Sequence, residues 1–327
     1  MNNLWLSSFC LIEPEDQFYL YYPSWLNVWE SHLYNRAIKS THAQGWYFKR
    51  FGCDNALYER EMIRKPAYIK YIEAMEQAAD RALLQLTAKE RMRLMKSRTA
   101  FIYVDAWGES GLFENISSAL HVATIDTLPK NLLKKFSVKA FTCKVRGEQH
   151  GFMQALNMAQ DYLNWNVFDF IVICAAYRAI PLLVFSAAES VAENNPRDLK
   201  MNISVERVGC FIFSQRESAL QVECGQYMVP ATNAFTVNRL YDDNAVITHL
   251  AIAGLSPGWL YPARADKQNA AAPETFSLSE KYGDSGCLSP ALSWIYLENH
   301  AAAAVKMRTV MPGALGSYHY FDTRYQT

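Results

Sequence analysis

The segment RGEQHGFMQAL, Arg146 to Leu156, has the form of a site that could hold a nucleophile. It follows an extended run, KAFTCKV (Lys139 to Val145), and leads into an amphipathic helix. A helix N-terminus lowers the pKa of a thiol there, because its dipole and first N–H groups stabilise the anion. Here the corner carries Glu148, Gln149 and His150. Gln can hydrogen-bond in that position, but it cannot form a thioester.

Other residues could in principle supply the missing chemistry. Cys143 lies inside the extended run, six residues before Gln149, and we interpret it as a buried structural thiol. Cys287 and Lys281 could form a reactive pair, since a nearby ammonium group lowers the pKa of a thiol. His150 could act as a base, but a histidine without an oriented partner is usually only a polar residue.

The remaining cysteines and histidines show no metal-binding pattern. The seven cysteines are scattered and form no CxxC pair, and the seven histidines include no HExxH motif. There is also no Walker A sequence and no GxGxxG. The sequence therefore predicts buried, reduced thiols in the cytoplasm, and neither a metal nor a cofactor.

The charge balance argues against a nucleic-acid partner, because 32 Lys and Arg residues match 32 Asp and Glu residues. The N-terminal residues lack the basic region of a signal peptide. The most apolar stretch, Phe168 to Ala188, is interrupted by Arg178 and Pro181, so it does not predict a membrane span. We expect a cytoplasmic protein.

The elements that must position these residues alternate between strands and helices, which is typical of an α/β fold. Hydrophobic periodicity predicts helices at Pro66–Gln85, Gly151–Leu163 and Ser289–Ala304, and a helix-like segment at SQRESALQ. It predicts strands at Leu4–Ile12, Thr99–Val104, Lys139–Val145, Phe168–Ala175, Val208–Phe213, Ala245–Ala253 and Tyr318–Tyr325. No linker divides the chain, so two similar halves within one unit are expected.

Several segments, in the same order, resemble the β-ketoacyl synthases of the thiolase fold. The resemblance is carried by PAYIKYIEAMEQAADRAL, SRTAFIYVDAWGESG, FTCKVRGEQHGFMQALNMAQDYL, FDFIVICAA and VERVGCFIFSQRESA, and further by FSLSEKYGDSGCLSPALSWIYL and ALGSYHYFD. It implies a five-layered αβαβα arrangement with mixed sheets. The whole chain, 1–327, would form one unit, with an N-terminal half at 1–220 and a reduced C-terminal half at 221–327.

Condensing synthases of this family use a cysteine, two histidines (or His and Asn) and a lysine. The resemblance places Gln149 at the cysteine position, with Glu148 before it and Gly151 after it. It places Ala253 near one histidine position and Cys287 near the other. Lys281 would be the retained lysine. The EQxG signature resembles the chain-length factors of type II polyketide synthases, and the short chain resembles the reduced factors of aryl polyene clusters.

The resemblance thus implies a subunit that does not condense by itself. Its expected partners are a catalytic ketosynthase subunit, paired through the strand at about Lys139 to Val145, and an acyl carrier protein. The basic residues that could attract an acidic carrier are Arg60, Arg64, Lys65, Lys70, Arg91, Arg93 and Lys96. Two alternatives stay open: a divergent acyltransferase or condensing enzyme that uses Cys143 or Cys287, and a homodimeric lipid-binding protein.

Overall fold

A computed structural model gives the fold. It describes residues 4–15, 17–23, 28–51, 65–105, 130–139, 141–146, 150–181, 184–185, 188, 201–228, 247–254, 273–300, 305–313 and 317–326, without the side chains at 65–70, 105 and 146. All statements below concern these residues. The predictions at Glu148, Gln149, Arg60 and Arg64 lie outside them.

The described chain alternates strands with helices. The strands are β1 (Trp5–Ile12), β2 (Tyr19–Leu20), β3 (Trp46–Lys49), β4 (Thr99–Asp105), β5 (Phe141–Arg146), β6 (Phe170–Tyr177), β7 (Asn202–Val205), β8 (Arg207–Ser214), β9 (Leu220–Cys224), β10 (His249–Ile252), β11 (Glu274–Ser277), β12 (Val305–Pro312) and β13 (Tyr318–Tyr325). The helices are α1 (Val28–Thr41), α2 (Lys65–Gln85), α3 (Ala88–Lys96), α4 (Lys130–Lys135), α5 (Gly151–Asn164), α6 (Leu278–Tyr282) and α7 (Leu292–His300), with a 3-10 helix at Gly286–Ala291.

The main sheet is a duplicated unit. Its order is β11-β10-β12-β13-β9-β1-β8-β6-β4-β5. It divides into two halves, β5-β4-β6-β8-β1 and β11-β10-β12-β13-β9. In each half, the strands that lie side by side are the third, second, fourth, fifth and first of that half along the chain. Both halves have two parallel pairs followed by two antiparallel pairs. The halves meet where β1 pairs with β9 at Trp5–Gln221 and Leu6–Leu220.

The strands at the centre of the first half are apolar because both of their faces are covered. Every residue of β6 (FIVICAAY) and of β8 (RVGCFIFS) is buried. Such runs are typical of a sheet with helices on both sides. On one side, α2 and α4 pack against Phe101, Val172 and Cys210. The small residues Ala74, Ala78 and Ala82 let α2 approach the sheet closely.

The other side of this half-sheet faces the middle of the molecule, where α5 and α7 lie. Phe152 of α5, Phe211 of β8 and Trp294 of α7 are fully buried, and their rings are 4.8 to 5.9 Å apart. The Trp294 indole also donates to Thr323 of β13 at 3.1 Å. This aromatic cluster therefore ties the two halves together through the central layer.

Three sequence predictions of local structure need correction. SQRESALQ is not helical: after a turn, Leu220 begins β9, because this segment pairs with β13 and with β1. The helix predicted at Ser289–Ala304 begins as a 3-10 helix and becomes α7 only at Leu292, with Pro290 inside the 3-10 segment. The strand at Lys139–Val145 is shifted to Phe141–Arg146.

Candidate functional site

The candidate site is the junction of β5 and α5, and Gly151 determines how closely the helix approaches the sheet. Gly151 is buried at the first turn of α5. A methyl group on its Cα would lie 3.2 Å from Cγ1 of Val104, so a side chain here would push α5 away from β4. Gln149 and Glu148 precede this turn outside the described residues, so their role stays a prediction.

His150 is the described residue nearest to that corner. It is the N-cap of α5, and its carbonyl accepts from the N–H of Gln154 at 2.9 Å. Its imidazole makes no capping hydrogen bond to the helix. The side chain instead lies against the loop after β12, where a methyl group on Gly313 would come within 2.9 Å of His150 Nε2. Glycine at 313 therefore leaves room for the imidazole.

A second histidine, from the last strand, packs on the first. The ring centroids of His150 and His319 are 4.7 Å apart, and Tyr227 lies 4.4 Å from His319 and 6.3 Å from His150. We refer to His150 and His319 as the imidazole pair. Nδ1 of each ring is buried and has no hydrogen-bond partner within the described part of the chain. The sequence did not predict this contact, since the two residues are far apart in the chain.

Burial keeps the imidazole pair neutral. Burial, with a smaller contribution from the neighbouring His319, lowers the pKa of His150 to about 4. Burial also lowers the pKa of His319. Neutral imidazoles can donate or accept a hydrogen bond, but no described carboxylate orients either ring as a general base would require.

Ala253, which the resemblance places near one histidine position, directly follows β10. Ala253 is fully buried, and its backbone N–H donates to the carbonyl of Val310 at 2.8 Å. The next residue, Gly254, has a positive φ of 77° and packs near Met311. His249 is at the start of β10, with Nε2 3.6 Å from Glu274. The structure thus places a methyl group at position 253, and no imidazole.

Cys287 and Lys281 occupy different environments. Cys287 is fully buried in the 3-10 helix. Lys281 is exposed on α6, and its ammonium group lies 4.6 Å from the ring of Phe276 and 4.5 Å from that of Tyr296. These cation–π contacts account for the position of the lysine without a catalytic role.

Cys143 lies in the middle of β5, opposite Ile102 of β4. Its side chain is half-buried against the main core. Burial raises the pKa of the thiol, which is the opposite of what a thiolate nucleophile needs. This environment is that of a structural cysteine.

Asp284 is a polar residue that the sequence reasoning missed. Its carboxylate accepts from Ser289 Oγ at 2.9 Å and from the N–H of Gly286 at 3.3 Å. Burial raises its pKa despite these bonds and despite the attraction of Arg207. The sequence offered one indication of this residue, because Asp284 lies between two glycines in the loop that holds Cys287.

The described residues contain no cluster of three or more His, Cys, Asp or Glu side chains that could hold a metal ion. Among the helices described, none is both long enough and apolar enough to cross a bilayer.

The comparisons with known proteins identify the fold. OleA from Xanthomonas campestris, in a variant bound to cerulenin, aligns over 99% of this chain and 97% of its own, with a TM-score of 0.58 and 9% identity. Nearly the full length of each chain is thus aligned. The fold is thiolase-like. Another OleA variant aligns with a TM-score of 0.58 and 9% identity over 99% of both chains.

The acyltransferase ChlB3 shares the thiolase-like fold with this chain, at a TM-score of 0.55 and 11% identity over 99% of this chain and 98% of its own. No family model matches the sequence, and no curated protein matches it. The predicted fold class, thiolase-like α/β with two related halves and mixed sheets, is confirmed. The division at residues 220 and 221 stays a proposal.

Proposed function

We propose that this chain is a non-condensing subunit of the chain-length-factor type. In this proposal it pairs with a catalytic ketosynthase of a type II polyketide synthase, of the kind found in aryl polyene clusters, and limits the length of the acyl chain. The proposal rests on the surroundings of the two residues that the resemblance places near the histidine positions. Ala253 presents a methyl group, and Cys287 is enclosed in the 3-10 helix.

The edge of the main sheet supports the pairing with a ketosynthase. Among the described strands, β5 is the terminal one of its half and is bonded to β4 alone. Its other edge would then offer backbone N–H and C=O groups that a strand of another chain can bond. Thr142, the second residue of this strand, is exposed.

The interior behind the corner supports a role in limiting length. Phe152 follows Gly151 directly, and its ring packs against Phe211 and Trp294, all fully buried. An acyl chain gains about 0.8 kcal/mol for each methylene group that it buries, until it meets a wall. The aromatic cluster can act as such a wall, because packed rings leave an extending chain no space.

The two alternative nucleophiles are disfavoured by their surroundings. Cys143 is a half-buried strand residue whose pKa is raised, and Cys287 is fully buried. Neither lies at the N-terminus of α5.

The first experiment reconstitutes the pair. The purified chain, incubated alone with a malonyl carrier protein, should give no condensation and no decarboxylation by mass spectrometry. Co-expressed with a ketosynthase that has the Cys-His-His set, it should co-purify and restore chain extension. Turnover by the chain alone, or failure to co-purify, would contradict the proposal.

The second experiment places the partner on β5. We expect Thr142→Asp to weaken co-purification about tenfold or more, because it puts an unpaired charge into the strand interface. The matched control is Thr275→Asp on β11, the opposite edge of the same sheet. If both variants bind the ketosynthase equally, the interface does not lie at β5.

A further inference from the structure

Three cysteines lie side by side across the main sheet. Cys10 of β1 is the Cα partner of Cys210 of β8, and Cys210 is in turn the Cα partner of Cys174 of β6. Residues in register on adjacent strands point to the same face of a sheet, and here that face packs against α2. All three thiols are free. We name these three residues the cysteine row.

The direction of the backbone shows which two thiols of the row are closest. The N–H of Phe9 donates to Oε1 of Gln85 at 3.1 Å, so it does not bond to β8. Neighbouring residues of an antiparallel strand direct their N–H and C=O groups to opposite sides, so Cys10 bonds to Cys210 across the ladder of β1 and β8. Cys210 therefore turns its backbone groups away from β6, and Cys174 and Cys210 form a pair without backbone hydrogen bonds between them.

Cys174 and Cys210 have the spacing that a disulfide needs. Opposed residues in a pair without hydrogen bonds have Cα atoms about 4.5 Å apart, and their side chains approach more closely than those of a bonded pair. A disulfide requires a Cα separation of about 4.4 to 6.8 Å. Burial raises the pKa of Cys210 well above its ordinary value, and the adjoining Cys174 thiol adds to this effect, which agrees with close sulfurs. The two thiols can therefore be joined without a change in strand register.

The members of the cysteine row differ in their exposure to solvent. Cys174 and Cys210 are fully buried, whereas Cys10 is partly exposed. Burial raises the pKa of the Cys10 thiol, but the guanidinium group of Arg81 beside it opposes this effect by favouring the thiolate. A dissolved oxidant therefore meets Cys10 first, and the two inner thiols are shielded behind it.

We propose that the cysteine row is a thiol relay, in which a peroxide oxidises Cys10 and a disulfide then passes inward to Cys174 and Cys210. In the first step the Cys10 thiolate attacks a peroxide oxygen, the O–O bond breaks, and a sulfenic acid forms while the departing oxygen takes up the proton. In the second step the Cys210 thiol attacks that sulfur, the S–O bond breaks, and the oxygen leaves as water with the thiol proton.

The third step of the relay is a thiol–disulfide exchange. Cys210 lies between the other two cysteines, as the central sulfur of an exchange must. The Cys174 thiol attacks Cys210, the bond between Cys10 and Cys210 breaks, and Cys10 recovers the proton that Cys174 gives up. Two thiols thus lose two electrons, and the peroxide gains them. This redox activity goes beyond the proposed function and does not depend on it.

The linkage is tested on the whole folded chain. The chain is treated with hydrogen peroxide, the remaining thiols are alkylated in denaturant, and a tryptic digest is analysed by mass spectrometry. Cleavage after Lys and Arg puts the three cysteines into separate peptides, which are Met1–Arg36, Gly147–Arg178 and Val208–Arg216. We expect the last two peptides to be joined, and dithiothreitol to separate them. Oxidation of Cys10 to a sulfinic or sulfonic acid without a joined pair of peptides overturns the proposal.

The order of the steps is tested with variants of the row. Cys10→Ser should slow the joining of Cys174 to Cys210 about tenfold, because no exposed thiol of the row then meets the oxidant. Cys174→Ala should stop the relay after the second step and leave Cys10 joined to Cys210. The matched control is Cys143→Ser, a partly buried cysteine of β5 outside the row, which should change the rate less than about twofold. Equal slowing by Cys10→Ser and Cys143→Ser, or a folded Cys174→Ala chain that does not join Cys10 to Cys210, overturns the relay. If Cys174→Ala does not fold, the comparison of the two serine variants decides alone.

Discussion

At the scale of single residues, the imidazole pair makes the folded state sensitive to acid. The pKa of His150 is about 4 in the folded chain, against an ordinary value of 6.5. Between these values the unfolded chain binds a proton that the folded chain does not bind, so stability falls as the pH falls from 6.5 to 4 and then levels off. A shift of this size corresponds to about 3 kcal/mol for a fully buried group, and we expect about 2 because the ring is only partly buried.

Urea denaturation at a series of pH values measures this loss. The variant His150→Phe should have a flatter pH profile between 6.5 and 4, since the titrating ring is replaced by a neutral one. His249→Phe is the matched control, because His249 lies at the start of β10, outside the imidazole pair. An unchanged slope in the His150 variant would show that its ring is not the source.

Single residues also show what the sequence could and could not predict about the site. The burial of Cys287 agrees with its apolar surroundings in the sequence, whereas the assignment of Ala253 and Cys287 to histidine positions stays a prediction. The contact between the rings of His150 and His319 could not be predicted, because it depends on bringing β13 next to the start of α5. The raised pKa of Asp284 depends in the same way on burial by distant segments.

At the scale of elements, α3 depends on its capping box. Thr87 accepts from the N–H of Glu90, and Glu90 bonds back to Thr87. Thr87→Ala should reduce the stability of the helix by about 1 kcal/mol, since the bonds made by the Thr87 hydroxyl are lost. Hydrogen exchange of the α3 amides should then be about fivefold faster. Ser97→Ala at the other end should have little effect, because Ser97 caps through its backbone N–H; equal acceleration there would contradict this assignment.

Elements with strong local patterns were predicted well, and those that depend on tertiary pairing were not. β4, β6, β8 and α5 follow from apolar runs and helical periodicity. SQRESALQ predicts a helix because it contains good helix formers. The end of this segment instead begins β9, whose pairing with β1 and β13 overrides the local preference. The sequence analysis does not predict β12 (VKMRTVMP), although Val305 to Arg308 alternate between apolar and basic residues.

At the scale of the whole molecule, Arg207 joins the two halves. Its guanidinium group donates to Glu13 at 2.8 Å, to the carbonyl of Tyr282 at 2.6 Å, and to Ser285. Arg207 is buried, so its removal leaves buried acceptors without a donor. Arg207→Met should cost about 3 kcal/mol in the free energy of unfolding.

The control for this prediction is Arg98→Met, which removes an exposed ion pair with Asp169 and should cost less than about 1 kcal/mol. Similar losses for the two in urea denaturation would mean that Arg207 does not link the halves.

The position of β1 has a consequence for synthesis on the ribosome. β1 lies between β8 and β9 in the interior of the sheet, yet β8 is translated roughly 200 residues after it. Because synthesis proceeds at about 5 to 20 residues per second, the apolar strand WLSSFCLI remains without its neighbouring strands for tens of seconds. During that time both of its edges are open to wrong pairings, and a chaperone that shields nascent strands would raise the yield of folded protein.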